Sequence, residues 1–415
     1  MPFLPKNKPA APTGPVIMQV IPSLGAGGAE QGCIDVAAEL VKAGATSLIV
    51  SNGGHRLPEV LRAGTRHIQM NVDSKNPLVI WRNSLKLRKI INCEKVDIVH
   101  ARSRAPAWSC YFACRKTTAR FMTTCHAPYN LKEGYWGHWK KRYNSSIARG
   151  ERVIAISHFV ADYLRKHYDI DLRNIRVIHR GIALEKFHPT TVSAERMIKL
   201  SREWRLPDGV SVVMMPGRLT RWKGHHVLID AMARLNRPDT VCVLIGSDQG
   251  RKEYRNELEQ TVKNRGLEGQ IRIVDHCADM PAAYMMATVV VSASIDPEGF
   301  GRIAAEAQAM GRPIIATDHG GSRETIIRGE TGWLVPPNDP VALTKAIEEA
   351  LSLDPTHRSI LATHAMSHIA GNFTKDRMTA QTLAVYAELL DEKTAKAESL
   401  KKEIDRLSHI AVAAE

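Results

Sequence analysis

Two parallel α/β sheets, each in a domain of its own, are what this 415-residue sequence predicts. Short apolar runs alternate with longer amphipathic stretches from Val16 onward, the pattern of repeated β-α units. The pattern breaks near residue 188 and restarts near residue 210. The length also suffices for two domains that each bury a core. In the first half, strands are expected near 16–21, 46–50, 97–100, 120–124, 152–156 and 175–178. In the second they are expected near 210–215, 240–245, 271–274, 288–292, 313–316 and 332–335. Between the halves, Phe187-His188-Pro189 through Pro207-Asp208-Gly209 reads as a connector with some helix. The expected organisation is therefore a proline-rich disordered tail over 1–15 and two Rossmann-like domains, 16–188 and 189–372, facing a central cleft. Helices rich in Ala, Glu, Lys and Leu fill 373–415, and their last stretch, from Lys393, could also stand free or pair with another helix.

Composition narrows the class. With 24% charged and 44% apolar residues the chain reads as soluble and globular, with no apolar run long enough for a membrane span and no signal peptide at the start. Seven cysteines, an odd number without a Cys-x-x-Cys pair, fit reduced thiols in a cytoplasmic protein. Charge is uneven. Residues 1–188 hold 29 Lys and Arg against 13 Asp and Glu, whereas the remainder is close to neutral. Such a field suits an anionic membrane surface, a phosphorylated acceptor or nucleic acid. The absence of zinc-finger, basic-zipper or RNA-binding aromatic motifs argues against nucleic acid.

The segment Glu298-Gly-Phe-Gly-Arg-Ile-Ala-Ala-Glu306 sets two carboxylates eight positions apart around a glycine-flanked turn. If Gly301 opens a helix, the second carboxylate lies roughly 12 Å along the axis from the first, whereas retaining glycosidases hold theirs about 5 Å apart. The two acids then serve different parts of one long ligand. A nucleotide sugar fits, with the sugar at one acid, a ribose diol at the other, and the pyrophosphate at the amides of Gly299, Phe300 and Gly301. The alternative is a solvated helix with two surface glutamates. Ser23-Leu24-Gly25-Ala26-Gly27-Gly28-Ala29-Glu30 follows the first strand and opens a helix, where glycine lets a ligand approach the backbone. Glu30 stands where a dinucleotide fingerprint needs its third glycine, which argues against a nicotinamide cofactor. Arg218 and Lys223 follow the first strand of the second domain, at the end where open α/β sheets bind ligands.

The Glu298–Glu306 segment resembles the Glu-x7-Glu signature of retaining GT-B glycosyltransferases of family 4. Pro216-Gly-Arg-Leu-Thr-Arg-Trp-Lys-Gly224 resembles the family's Gly-Arg…Lys-Gly segment, and Val177-Ile-His-Arg-Gly-Ile182 its Val-Ile-x-Asn-Gly-Val. The likeness runs from about Val16 to Val335. It implies a retaining hexosyltransferase that works without a metal or cofactor. In that scheme Glu298 holds the donor sugar and Glu306 the ribose. Arg218, Lys223 and the amides at Gly299–Gly301 take the diphosphate, the Gly27-Gly28 loop lies against donor phosphates and acceptor, and His126 stands near the donor sugar. It also implies that the last helix crosses back to the first domain. Arg180 and Ala183 replace the family's usual Asn and Asp, so no role passes to them. Asp275-His276-Cys277 replaces the frequent Phe-x-Gly by the base pocket, which leaves the nucleotide base open.

The acceptor is read from charge. From Lys132 to Gly150 aromatic and cationic residues interleave, and Tyr135, Trp139, Tyr143 and Ile147 form one helical stripe. A buried stripe is the ordinary reading; contact with a membrane or acceptor is its rival, supported by the cationic stretches Arg82–Lys89 and Arg102–Lys116. A glycan or phosphorylated glycolipid acceptor at the cytoplasmic face of the membrane, in lipopolysaccharide or envelope polysaccharide synthesis, follows as the expectation. A nucleotide-sugar epimerase and a catalytically silent nucleotide-sugar-binding protein are the alternatives.

Overall fold

The computed structural model describes residues 14–129, 135–390 and 395–413. The described residues divide into two compact units, one running to Gly181 and taking in Asp376–Ala413, the other Ile182–Lys375. The tail expected over 1–15 falls almost wholly outside the described residues.

The first unit holds β1 (Val16–Val20), β2 (Thr46–Ser51), β3 (Arg66–Gln69), β4 (Ile98–Ala101), β5 (Arg120–Cys125), β6 (Arg152–Ala155) and β7 (Ile175–Val177). They form one parallel sheet in the order β3-β2-β1-β4-β5-β6-β7. Buried on both faces, β1 is apolar but for Gln19, and its side chains alternate between two cores. Val16, Met18 and Val20 meet the helices Pro77–Glu94 and Arg104–Cys114 on one face. Ile17 meets the helix Gly28–Lys42 on the other, together with Tyr386, Leu389 and Leu400 from the end of the chain. β3 was not expected. Its four residues, Arg66-His67-Ile68-Gln69, lie at the sheet edge with none buried, so they carry no apolar signature.

The second unit holds β8 (Ser211–Pro216), β9 (Thr240–Ile245), β10 (Ile271–Val274), β11 (Val289–Ser292), β12 (Ile314–Thr317) and β13 (Trp333–Val335), also all parallel, in the order β10-β9-β8-β11-β12-β13. The structural division comes at Gly181/Ile182, before the connector expected near 188. Ile182 is the reason. Its N–H donates to the Phe373 carbonyl and its carbonyl accepts from Lys375, while Phe187 packs edge-on against Tyr284. Residues 373–375 therefore stay with the second unit and 376–413 belong to the first. The last helix, Ala395–Ala413, is neither free nor paired outward. Ala397, Leu400 and Leu407 are buried, and Arg406 bridges Glu403 to Glu39 of the Gly28–Lys42 helix. All seven cysteines are free thiols. Among the described residues no helix is long and apolar enough to cross a membrane.

Candidate active site

In each sheet the strand order reverses once, between β1 and β4 and between β8 and β11, and an open α/β sheet binds ligands at the carboxyl ends beside that point. In the second unit the chain leaving β8 carries Lys223 and the chain leaving β11 carries Glu298. Lys223 lies in a short 3-10 turn closed by Gly224, whose φ is 78°. Only glycine fits there, because a Cβ would stand 2.0 Å from the Ala293 carbonyl oxygen. The turn is tied to the β11 loop by the Ile295 N–H donating to the Trp222 carbonyl at 2.6 Å.

This places the Lys223 ammonium 2.8 Å from Glu298 Oε1, with the two side chains 9% and 12% exposed. Ser294 and Ser292 donate to the same oxygen at 2.6 and 3.3 Å. Burial pushes the Glu298 carboxyl up, but the Lys223 charge and these hydrogen bonds outweigh it and hold the group below the usual carboxylate range. Three donors on Oε1 leave Oε2 without a hydrogen bond from any described residue. Sequence reasoning gave Lys223 to the diphosphate; here it holds the glutamate. Arg218, by contrast, is exposed and makes no side-chain hydrogen bond or ion pair among the described residues.

After Glu298 the chain turns through Gly301, φ 85°, into the helix Arg302–Ala309, which opens without a side-chain cap. The Phe300 ring is buried against Phe373, centroids 5.5 Å apart, so this side chain packs the core and does not face a ligand. Glu306 is buried too, and both its oxygens are engaged. Arg302 donates to Oε1 at 2.7 Å and the buried Tyr284 hydroxyl donates to Oε2 at 2.9 Å. Burial, then the neighbouring Glu306, drive the Tyr284 phenol far above its ordinary range, so it stays a donor. A carboxylate accepts about four hydrogen bonds. A ribose diol at Glu306 therefore either competes with Arg302 or uses what remains.

The first unit has its own set at the carboxyl ends of β1, β5 and β7. Gly27 caps and Gly28 opens the helix Gly28–Lys42. A Cβ on Gly27 would lie 2.2 Å from Glu30 Oε2, so the Glu30 carboxylate sits beside Gly27 in the first turn of this helix. His126 follows β5. Arg180, to which no role was assigned from its motif, donates from Nη2 to His126 Nδ1 at 2.7 Å. A guanidinium only donates, so Nδ1 accepts and the ring proton sits on Nε2, which is buried without a hydrogen bond of ordinary geometry near the Arg102 backbone. Burial, then Arg180 and Arg102, hold His126 well below its ordinary pKa. The arginine passes over Gly32, where a Cβ would come within 2.3 Å of its Nη1. His100 is a core residue, bonded to Tyr386 and Thr124 at 2.7 Å each.

His225, next to Gly224, is buried and lowered to about 4 by burial and by Lys223. Its folded pKa lies below its unfolded value of 6.5, so its contribution is complete above pH 6.5 and is lost as pH falls through 4. At 1.36 kcal/mol per unit, the protein is expected to lose about 3 kcal/mol of stability over that window on account of His225. Urea titrations at stepped pH check this, and His225→Gln should flatten the slope.

Residues 26–186 match the family described as Glycosyltransferase Family 4 and residues 197–365 that described as Glycosyl transferases group 1. A glycosyltransferase structure from Rickettsia africae ESF-5 is 38% identical, with a TM-score of 0.84 over 92% of this chain and 100% of that one. Anabaena Alr3699/HepE, solved with UDP and glucose, shares the fold at 21% identity and a TM-score of 0.78, over 90% and 99% of the two chains. The D-inositol 3-phosphate glycosyltransferase of Jonesia denitrificans is 32% identical over 247 residues, 58% of this chain and 57% of that protein. The chain spans little more than half the length of the curated relatives it matches. Two all-parallel Rossmann-like units, the Lys223–Glu298 pair across a switch point and these matches have one reading: the chain belongs to glycosyltransferase family 4, with the GT-B architecture.

Proposed function

We propose that this protein moves a hexose, with retention at the anomeric carbon, from a nucleoside diphosphate donor to a hydroxyl of a glycan or glycolipid acceptor. Assembly of lipopolysaccharide or a related envelope glycan is the setting that its basic first unit fits best. The observation that carries the reading is the Glu298 carboxylate, charged, held through Oε1 by Lys223, Ser294 and Ser292, and open at Oε2. Such an oxygen accepts from sugar hydroxyls and offsets positive charge at the anomeric carbon. Arg218 supplies the mobile cation for the departing diphosphate, and Glu306 takes a ribose hydroxyl. The diphosphate oxygen receives the acceptor proton on the face it leaves, so no covalent sugar–enzyme bond forms and no metal ion is required. His126, neutral and fixed by Arg180, acts as a positioning group at the end of β5, since its Nε2 is buried and does not itself face a ligand.

The test is the melting temperature with UDP, GDP and ADP, free and as hexose conjugates. At a hundredfold excess over Kd the matching nucleotide stabilises by about 2.7 kcal/mol, a rise of several degrees. UDP-hexoses come first because the HepE fold neighbour was solved with UDP and glucose. Glu306→Ala should abolish the rise. No rise with any nucleotide would overturn the donor reading, and an inverted anomer by NMR of the product would overturn retention alone.

A further inference from the structure

The helices Pro77–Glu94 and Arg104–Cys114 lie side by side on one face of the first unit's sheet, joined by the Ser109 hydroxyl donating to the Ile80 carbonyl, so their outer sides face the same way. On Pro77–Glu94 that outer side is not the polar surface expected of a helix whose inner residues, Ile80, Leu87 and Ile91, already fill a core. Leu78 is 71% exposed, Trp81 59%, and Leu85 is exposed as well, at spacings of three and four that put them on one stripe. Arg82, Lys86 and Lys89 are exposed beside them. Phe112 continues the apolar surface on the second helix, with Arg115 and Lys116 exposed at its end.

The neighbouring helix Tyr135–Asn144 extends this face, tied on by the Trp108 indole donating to the Tyr143 carbonyl at 2.8 Å. Trp139 is 57% exposed, Tyr143 is half-buried and Ile147 is buried, so of the stripe's described side chains only Ile147 lies in the core. Trp139 lines a groove of ≈ 990 Å³ with His138, Lys141, Arg142 and Arg149, the last lying 5.0 Å over the Trp108 ring. Among the described residues the acids in reach are few. Asp169 lines the groove, Asp73 lies near Tyr143, and Glu94 is paired with Arg66 at 2.8 Å.

Exposed leucine and tryptophan among unpaired-sign cations have one physical use in common: apolar side chains enter the boundary of a lipid leaflet while the cations meet its phosphates. We propose that the outer face formed by Leu78, Trp81, Leu85 and Phe112 seats the first unit on an anionic bilayer, with the Lys141–Arg142–Arg149 groove taking an anionic headgroup. A protein partner is less suited, because protein interfaces are depleted of lysine at their centres. The inference extends the glycolipid side of the proposed function and is independent of donor binding.

Sedimentation of the full chain with vesicles of phosphatidylcholine containing about a third phosphatidylglycerol tests it. Wild type should bind these and not pure phosphatidylcholine, and 0.5 M salt should weaken binding, at roughly 1 kcal/mol per cation near the surface. Trp81→Ala/Leu85→Ser and, separately, Arg82→Glu/Lys86→Glu should each lower the bound fraction about tenfold. The nucleotide melting shift, read on the same preparations, should be unchanged, which separates this proposal from the donor reading. Equal binding to both vesicle types, or variants that sediment like wild type, would overturn it. So would a concentration-dependent dimer that Trp81→Ala/Leu85→Ser dissolves, since a second copy would then be the occupant.

Discussion

Glu298→Gln is expected to lower turnover by two to three orders of magnitude and to destabilise the second unit by about 3 kcal/mol. The substitution keeps the shape and removes the charge. Lys223 is then left with its ammonium 9% exposed beside two serine hydroxyls and no carboxylate, which is the expensive half of breaking a buried pair. The energy is at the low end of the range for such pairs because a tenth of each side chain still meets water. Lys223→Met should also cost activity, but by another route: Glu298 keeps the Ser294 and Ser292 hydrogen bonds while losing the charge that holds it ionised, so its carboxyl rises. The double variant should cost less than the sum of the singles, since neither partner is left charged alone. Chemical denaturation and single-turnover kinetics on the four proteins complete the cycle. Additive stabilities would mean that the 2.8 Å contact carries no coupling. The pH dependence has a definite sign. Glu298's folded pKa lies below its unfolded 4.5, so the pair's contribution is present above that value and is lost as pH falls below it.

Most of the fold was legible because it rests on apolar runs that parallel sheets bury on both faces. Twelve expected strands are present within a residue or so of their bounds, and β3 was missed because an edge strand of Arg66-His67-Ile68-Gln69 buries nothing. The domain division was displaced because Ile182 and Phe187 look like connector residues in sequence but are fastened to Phe373 and Tyr284, which lie far along the chain. Within the site, sequence spacing marked out Lys223, Glu298 and Glu306 but gave each to a ligand. Their protein partners were invisible: Lys223 and Glu298 are 75 positions apart, and Tyr284 carries no motif at all. Arg302 stood in plain view inside the signature, four residues before the glutamate it binds, and i,i+4 spacing was the signal that could have found it. Glu30 was read only as a missing glycine, although an acid in the first helical turn is the expected neighbour of uncapped amides.

The second large effect concerns Arg180, the residue that replaces the family's usual asparagine. Arg180→Ala should lower kcat/KM by about two orders of magnitude if His126 acts as a positioning group, because it removes the donor that fixes which ring nitrogen carries the proton. With Nδ1 released, the ring is free to take the other tautomer and to turn within its pocket. Removing the guanidinium charge also removes one cause of the lowered pKa. His126 should therefore titrate at a higher pH than in the wild type, still below 6.5 because burial remains the larger cause. The sign for stability follows. His126 contributes fully above pH 6.5 and loses that contribution as pH falls, and the variant, with a smaller depression, should lose less of it in acid. A cost in stability of roughly 1–2 kcal/mol accompanies this, since Arg180 Nη1 also reaches the Met378 sulfur at 3.7 Å. Nitrogen-15 spectra of the imidazole distinguish the tautomers directly, read on variants whose amide spectra remain those of the folded protein. Gly32→Ala supplies the independent check: its methyl would meet Arg180 at 2.3 Å, displace the guanidinium without deleting it, and reproduce the change in tautomer. If His126 keeps its Nε2 proton in both variants and the pH–rate profiles superimpose on the wild type, Arg180 is a packing residue and the histidine is positioned by something else.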